Sequence, residues 1–216
     1  MVSRTLKPEL LDALPPEDRD AIDSRRDLRH FNRVMGNAVW FRAQLPVFVR
    51  PGERILELGA GTGELRSAVK RPDLSWDGLD LAPRPADWPP TATWYQTDVR
   101  DFDGWSDYDV ILANLFLHHL DDPTLVRLGG RMRAHARVIL CSEPARARRW
   151  QWLFRGLCLM VRANHVSRHD GHVSIEAGFR NDELPRTFGL GGREWAWKLD
   201  VTFRGAYRLS ARRSDA

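Results

Sequence analysis

A glycine-rich loop near the first strongly apolar run of the 216-residue chain is the segment with the clearest chemical use. The segment Glu57–Gly63 reads Glu-Leu-Gly-Ala-Gly-Thr-Gly. Alternating glycines let a backbone turn tightly and approach a ligand closely. A dinucleotide-binding loop has the pattern Gly-x-Gly-x-x-Gly. Its last glycine would fall at position 64, where this chain has Glu64. Because Glu57 and Glu64 would oppose an anionic pyrophosphate, the loop favours a cationic ligand.

Two carboxylates follow the loop at the ends of the next two predicted strands. Asp80 lies 17 residues after Gly63, where a carboxylate can hold the vicinal hydroxyls of a ribose. Asp98 follows the third predicted strand, and its carboxylate can accept a hydrogen bond from an adenine amino group. A tight turn would explain the glycine loop alone. The loop together with two such acids predicts a nucleoside site.

These residues are placed by strands that alternate with helices. The predicted strands are Arg54–Leu58, Leu74–Asp80, Ala92–Thr97, Tyr108–Ala113 and Arg137–Ser142. This alternation predicts an α/β fold with a doubly wound, mostly parallel sheet. Two further segments, Glu194–Leu199 and Ala206–Ala211, predict a C-terminal antiparallel pair, so we expect seven strands. Trp195 and Trp197 alternate in the first of them and are expected in the core.

The rest of the chain is predicted to cover this sheet within one domain, residues 1–216, whose core is 53–142. Residues 1–50 predict a helical cap, broken by Pro15-Pro16, with one helix starting at Asp23-Ser24 and another over 38–49. Pro144 is expected to begin a helix that reaches about Ala163. Residues 164–192 are expected to form an insertion on the acceptor side, and 164–178 show no clear helical period.

Composition excludes several classes of protein. The chain is 43% hydrophobic and 29% charged, which is typical of globular proteins and excludes disordered and collagen-like chains. Cys141 and Cys158 have no metal-ligand spacing and are predicted to be reduced core thiols. The N-terminus lacks the apolar segment of a signal peptide, and no apolar run is long enough to span a bilayer. We therefore expect a cytoplasmic protein.

The charge is distributed unevenly although the net charge is only +4. Nine arginines lie between Arg131 and Arg168 against one acid, Glu143. Such a stretch could meet phosphates, anionic lipid or an acidic partner, or could be a solvated helix face. The predicted helix after Pro144 has an apolar face that mostly packs on the sheet. The remainder of that face would line an acceptor pocket or make peripheral contact with a membrane.

The glycine segment, Asp80, Asp98 and the segment Asp109–Leu120 together resemble the successive motifs of class I S-adenosylmethionine-dependent methyltransferases. The resemblance covers roughly residues 53–142. It implies a Rossmann-like methyltransferase fold, S-adenosyl-L-methionine as cofactor, S-adenosyl-L-homocysteine as product, and no metal.

The resemblance also implies cofactor contacts at eleven positions. They are Glu57, Gly59, Ala60, Gly61 and Gly63 for the amino-acid part, Asp80 for the ribose, Leu81, Asp98 and Val99 for the adenine, and Asn114 and Leu115 beside the methionine moiety. Because N-terminal helices commonly cover the cofactor in this family, its carboxylate is expected near Arg29, Asn32, Arg33 or Asn37.

The segment after the fourth predicted strand bears on the acceptor. Asn114–Leu120 resembles the small-molecule branch of the family, including quinone and polyketide methyltransferases. Enzymes that methylate the amino groups of nucleobases often carry an Asn/Asp-Pro-Pro-aromatic tetrad after this strand. The segment here lacks the two prolines, which disfavours methylation of a nucleobase. Methylation of RNA or another nucleic acid remains an alternative, as does a non-catalytic cofactor-binding partner with the same fold.

Histidines supply the candidate general bases. His169 lies in the His-rich segment 164–174, and His118 follows the fourth predicted strand. Arg168 could stabilise a phenolate or carboxylate of the acceptor. Surface or capping roles for these residues stay open. The side chains expected to line an aromatic acceptor site are Phe116, Trp150 and Phe179, and O-methylation is preferred over C-methylation.

Overall fold

The computed structural model describes residues 3–15 and 17–214, so the predicted break at Pro16 lies outside the described residues. Seven strands form one sheet: β1 (Arg54–Leu58), β2 (Ser75–Asp80), β3 (Trp94–Gln96), β4 (Val110–Asn114), β5 (Val138–Pro144), β6 (Trp195–Val201) and β7 (Ala206–Arg213). The helices are α1 (Arg19–Met35), α2 (Asn37–Phe48), α3 (Glu64–Val69), α4 (Asp122–His135), α5 (Arg148–Met160), α6 (His165–Ala177) and α7 (Glu183–Thr187).

The strand order β3-β2-β1-β4-β5-β7-β6 confirms the predicted fold class. Strands β1 to β5 are parallel, and β7 is antiparallel to both β5 and β6. Strands β1, β4 and β5 are apolar along most of their length because helices cover both faces of the sheet. The order reverses between β1 and β4, which opens a crevice at their carboxyl ends.

The N-terminal helices begin earlier than their sequence pattern predicts. Helix α1 starts at Arg19, because the Asp18 carboxylate accepts the Asp20 N–H at 2.8 Å and caps it. The predicted cap residue Ser24 is instead buried within the helix. Gly36 ends α1 with a φ of 72°, and α2 begins at the next residue.

The segment after β5 differs most from the expectation. Pro144 ends the strand and does not start a helix, since β5 continues to pair with β7 as far as Pro144. Helix α5 begins at Arg148 and ends at Met160, and residues 164–178 contain the helix α6. Gly171, which disfavours a helix by propensity, allows the Phe154 ring of α5 to lie directly against α6, where a Cβ would overlap it.

The described residues contain no helix long and apolar enough to cross a membrane. Cys141 and Cys158 are both buried free thiols, as predicted. Of the two tryptophans expected in the core, Trp195 is 4% exposed, but Trp197 on the edge strand β6 is 40% exposed. The subdivision into residues 1–50, 53–142 and 164–192 stays a prediction.

Candidate active site

The glycine loop forms a backbone floor at the carboxyl end of β1. The N–H groups of Gly59 and Ala60 both donate to the Leu79 carbonyl, at 2.9 and 3.1 Å, which ties the loop to β2. A Cβ at Gly59 would overlap the Phe116 ring, whereas a Cβ at Gly61 would have no protein atom within 4 Å. Both glycines have positive φ, 64° and 54°. The loop is therefore packed against Phe116 at Gly59 and borders open space at Gly61.

Asp80 supports the same loop from the end of β2. One carboxylate oxygen accepts the Gly61 N–H at 2.7 Å, and the other accepts the Ala82 N–H at 2.8 Å. A carboxylate has about four acceptor positions, so each oxygen keeps capacity for a hydroxyl donor. The next residue, Leu81, is 70% exposed and presents an apolar surface beside this carboxylate.

Asp98 and Val99 are less available to a ligand than the resemblance implies. The Arg100 guanidinium forms a bidentate pair with Asp98, at 2.9 and 2.5 Å. This pairing keeps the pKa of the Asp98 carboxyl below its usual range. Val99 is buried in the main apolar core. Their predicted adenine contacts stay predictions.

A cavity of about 630 Å³ lies against the glycine loop. This volume is typical of small-molecule sites. Eight of the predicted site residues line it: Glu57, Gly59, Ala60, Gly61, Asn114, Leu115, His118 and Trp150. The other predicted residues, Gly63, Asp80, Leu81, Asp98, Val99, Phe116, Arg168, His169 and Phe179, lie outside its lining.

Hydrogen bonds between side-chain amides connect the N-terminal helices with the end of β4 beside the cavity. The Asn37 amide donates to the side-chain oxygens of Asn32, at 2.9 Å, and Asn114, at 3.0 Å. Its own oxygen accepts the Ser142 hydroxyl at 2.9 Å. Asn37 is fully buried, while Asn32 and Asn114 reach the cavity. The residue after Asn114, Leu115, has a φ of 54°, a strained conformation of the kind found at binding sites.

His118 is held as a charged group between two carboxylates. Its Nδ1 lies 2.8 Å from the Glu143 carboxylate, and its Nε2 lies 3.8 Å from that of Glu9. Burial alone would lower the pKa of His118, but its interactions with Glu143 and Glu9 outweigh it and raise the pKa to about 9. Glu143 also accepts the backbone N–H groups of Phe116 and Leu117. His118 therefore positions the loop after β4, and its proton makes it unsuited to act as a base near neutral pH.

His119 offers the opposite protonation state on the same cavity wall. Its ring centroid is 4.2 Å from that of His118. The side chain is exposed at its edge, but partial desolvation of the ring by its neighbours, followed by the charge on His118, lowers the pKa of His119 to about 4. Among the described residues, Glu9, His118 and His119 also form a group whose ligand atoms lie within 4.8 Å of one another, a spacing that could hold a metal ion. The ion pairs of His118 account for the group without one.

Glu57 lies beneath the glycine loop, where burial favours the protonated form of its carboxyl group. Its side chain is 2% exposed, and the Trp76 indole N–H donates to it at 2.9 Å. Burial raises the pKa of Glu57 to about 8, more than the Trp76 hydrogen bond lowers it.

His169 and Arg168 do not line this cavity, and their predicted roles stay predictions. Both line a separate groove of about 570 Å³ on the outer side of α5 and α6. His169 Nδ1 lies 2.9 Å from the buried Asp170 carboxylate, which also accepts the N–H groups of Leu10 and Leu11. The helical spacing of α6 turns Asp170 toward the N-terminal segment and leaves His169 outside.

The aromatic residues expected around the acceptor have three different positions. Trp150 lines the cavity and lies below Gly205 of the β6–β7 turn. Phe116 packs under Gly59, as part of the loop's support. Phe179 is 1% exposed and packs against Tyr207 in the core. Of the three, only Trp150 can touch a ligand in this cavity.

Several cavity residues were missed by sequence reasoning. Glu9, Phe203 and Arg204 come from opposite ends of the chain and carry no local motif. Glu143 directly precedes Pro144 at the end of β5, where an acid at the carboxyl edge of a parallel sheet could have been noted. The fold alone brings these residues beside the glycine loop.

The sequence matches no family model and no curated protein. Solved structures are similar. The plantazolicin methyltransferase BpumL, in complex with a triazolic desmethylPZN analog and SAH, has a TM-score of 0.72 and 12% identity, covering 95% of this chain and 93% of that one.

The pyocyanin biosynthetic protein PhzM has a TM-score of 0.63 and 18% identity over 96% of this chain, which spans 62% of PhzM. Magnesium protoporphyrin IX methyltransferase ChlM from Synechocystis PCC 6803, with bound SAH, has a TM-score of 0.57 and 15% identity, covering 94% of this chain and 91% of ChlM. The fold is that of the class I methyltransferases. At these identities, the likeness establishes the methyltransferase fold and not the reaction.

Proposed function

We propose that this protein transfers a methyl group from S-adenosyl-L-methionine to a small lipophilic acceptor. The observation that carries the proposal is one cavity with two unlike walls. The glycine loop and Asn114 form one wall, and apolar side chains of α1, α5, α6 and the β6–β7 turn form the other. A bound cofactor and a bound acceptor would therefore meet within the same cavity.

The residues present fit this cofactor. The open space above Gly61 accommodates a ligand against the backbone, and the partly buried Asp80 carboxylate beside it can accept from ribose hydroxyls. Asn32 and Asn114 present amides to the part of the cavity expected to hold the amino-acid moiety. When bound, the cofactor supplies an electrophilic methyl group on a sulfonium centre. The chain's contribution is to align the acceptor atom with that methyl group and exclude water.

The cavity wall also supplies a group that can take the acceptor's proton. The lowered pKa of His119 favours its neutral ring near neutral pH, and a neutral ring has a nitrogen that can accept a hydrogen bond from a hydroxyl. His118 holds its own proton between Glu9 and Glu143 and orients the loop that carries His119. This arrangement favours methylation at oxygen over carbon, because an acceptor hydroxyl would benefit from a nearby base.

Apolar character distinguishes the acceptor side of the cavity. Its walls include Leu28, Val34, Trp150, Leu157 and Phe203, which suit an aromatic or lipophilic molecule and not a polyanion such as RNA. We place this activity in small-molecule biosynthesis. The two buried thiols, Cys141 and Cys158, are consistent with the reducing conditions of the cytoplasm.

Binding of S-adenosyl-L-homocysteine tests the cofactor site. We expect the product at 100 times its dissociation constant to add about 2.7 kcal/mol to the free energy of unfolding, measured by thermal denaturation. Asp80→Ala is expected to remove most of this gain, since it removes both the ribose acceptor and the hydrogen bond to Gly61. Asp87→Ala, an exposed acid of the following loop, is the matched control and should keep the gain.

The proposal fails if neither cofactor form binds the wild-type protein. Transfer of labelled methyl groups to a panel of phenols then separates an enzyme from a non-catalytic binder. A protein that binds S-adenosyl-L-homocysteine but transfers no label to any acceptor would support the alternative of a non-catalytic cofactor-binding protein.

A further inference from the structure

Helix α5 exposes an unusual amount of apolar surface. The exposed fractions are 70% for Trp152, 59% for Leu153, 72% for Leu159 and 76% for Met160. These positions recur at the helical spacing i, i+1, i+7 and i+8, so they form a stripe on one face of the helix, with Arg155 and Gly156 between the two pairs. Single exposed apolar residues are ordinary on soluble proteins, but four large ones on a single helix face indicate an interaction site.

Arginines flank this stripe, and acids are absent from it. Arg148, Arg149 and Arg155 are exposed on α5, and Arg162 follows its end. Helix α5 itself contains no Asp or Glu. Within the described part of the chain, no carboxylate forms an ion pair with any of these four guanidinium groups. The stripe is therefore bordered by positive charge that the protein does not neutralise.

The same helix forms a wall of the cavity. Leu153 is both exposed and part of the cavity lining, and Phe154 and Leu157 continue the wall inward. Across the opening, Leu28, Val34 and Phe203 are also exposed and line the cavity, with exposed fractions of 37%, 42% and 78%. An apolar molecule in contact with the stripe could therefore enter the cavity along apolar side chains.

We propose that the exposed face of α5 docks on an anionic lipid bilayer, from which the acceptor enters the cavity. Trp152, Leu159 and Met160 enter the boundary between headgroups and acyl chains, and the guanidinium groups contact lipid phosphates. The route taken by the acceptor rests on the proposed function, whereas the docking itself does not.

Charge and composition favour a bilayer over a protein partner. In a symmetric dimer formed through this face, the same unneutralised arginines from both copies would lie close together and repel. An acidic protein would satisfy the arginines. It would not explain why the apolar stripe continues into a lipophilic cavity, which a bilayer that stores the acceptor does explain.

Vesicle co-sedimentation of the full chain, without cofactor or acceptor, tests the docking. We expect binding to vesicles of phosphatidylcholine with one third phosphatidylserine, at least about tenfold weaker binding to phosphatidylcholine alone, and a loss of binding as salt is added. Arg155→Gln is expected to lower the partition coefficient about fivefold. Trp152→Ser should lower it further, because it removes the largest inserted side chain.

Arg193→Gln is the matched charge control. Arg193 is exposed and precedes β6, which runs parallel to β5, so it lies at the opposite edge of the sheet from the cavity. This variant should bind as the wild type does. Both test positions are exposed, and circular dichroism with thermal melting confirms that each variant is folded.

Three results would overturn the proposal. They are equal binding to both vesicle types, an unchanged partition coefficient for Trp152→Ser and Arg155→Gln, and a stable dimer in solution that Trp152→Ser dissociates. Calorimetry with S-adenosyl-L-homocysteine reports separately on the cofactor site, so failure of docking and failure of the proposed function are distinguishable.

Discussion

The two walls of the cavity are built in different ways. The glycine-loop wall comes from one continuous segment after β1 and from the end of β4, and it presents mostly backbone. The apolar wall comes from α1, α5, α6 and the β6–β7 turn, which are far apart in the chain, and it presents side chains. A short motif can specify the first wall, because glycine conformations are local. The second wall exists only when distant helices pack together.

The largest expected effect concerns the glycine-loop wall. In Gly59→Ala, the new Cβ would overlap the Phe116 ring at a residue whose φ is +64°. We expect a loss of about 2–5 kcal/mol in the free energy of unfolding, measured by denaturant titration. Gly52→Ala is the control, since Gly52 also has positive φ but has no atom within 4 Å of a new Cβ. Equal losses in the two variants would show that the contact with Phe116 carries no cost.

A second prediction concerns His118, which joins the two walls through Glu143 and Glu9. The pKa of His118 is raised from 6.5 to about 9, so between these pH values the folded state keeps a proton that the unfolded state has released. The stabilisation is complete below pH 6.5 and is lost as the pH rises through 9. We expect the stability difference between wild type and His118→Gln to shrink by about 3 kcal/mol across this range.

Urea unfolding at a series of pH values measures this difference. His135→Gln, at an exposed position ending α4, is the matched control and should show a small and nearly constant difference. If the difference in the free energy of unfolding between wild type and His118→Gln does not change with pH, the charged pairing of His118 with Glu143 and Glu9 is contradicted.

The third prediction compares a histidine of the cavity wall with one of the outer groove. His119→Ala should lower the turnover number about 10²-fold, the low end for a general base, because a pKa near 4 makes a weak one. His169→Ala should leave turnover within about twofold, because His169 faces the outer groove. Steady-state rates with a phenol that the wild-type protein methylates decide between them. A loss at His169 alone would support the assignment made from sequence.

The smallest effect tests the apolar wall. In Gly171→Ala, the new Cβ would overlap the Phe154 ring, and we expect a loss of about 1–3 kcal/mol in the free energy of unfolding. Gly130→Ala, in the middle of α4 with open space around it, should instead gain up to about 1 kcal/mol from helix propensity. Thermal unfolding of both proteins measures the contrast. A gain in the free energy of unfolding at both positions would show that α5 and α6 shift apart without cost to accommodate the new Cβ beside Phe154.

The parts predicted well are those with a local physical cause. Strands β1, β4 and β5 are short apolar runs bounded by turns, and their order follows from their alternation with helices. Helix α6 was missed because its cap, from the Asn164 side chain to the Ser167 N–H, and its contact with Phe154 offset the cost of Gly171. The position of His169 could not be predicted for a related reason, since the helix α6 places it on the outer groove and an irregular segment would not fix its direction.

The amino-acid sequence by itself determined the parallel sheet, the glycine loop and the carboxylate at Asp80, because each depends on backbone conformation or on position at a strand end. Only the tertiary structure decided which histidines line the cavity, since His118 and His119 line it and His169 does not. It also showed that α5 carries its arginines beside an exposed apolar stripe at the cavity opening. Protonation and exposure depend on groups from distant parts of the chain, such as Glu9 with His118, and their proximity exists only in the folded protein.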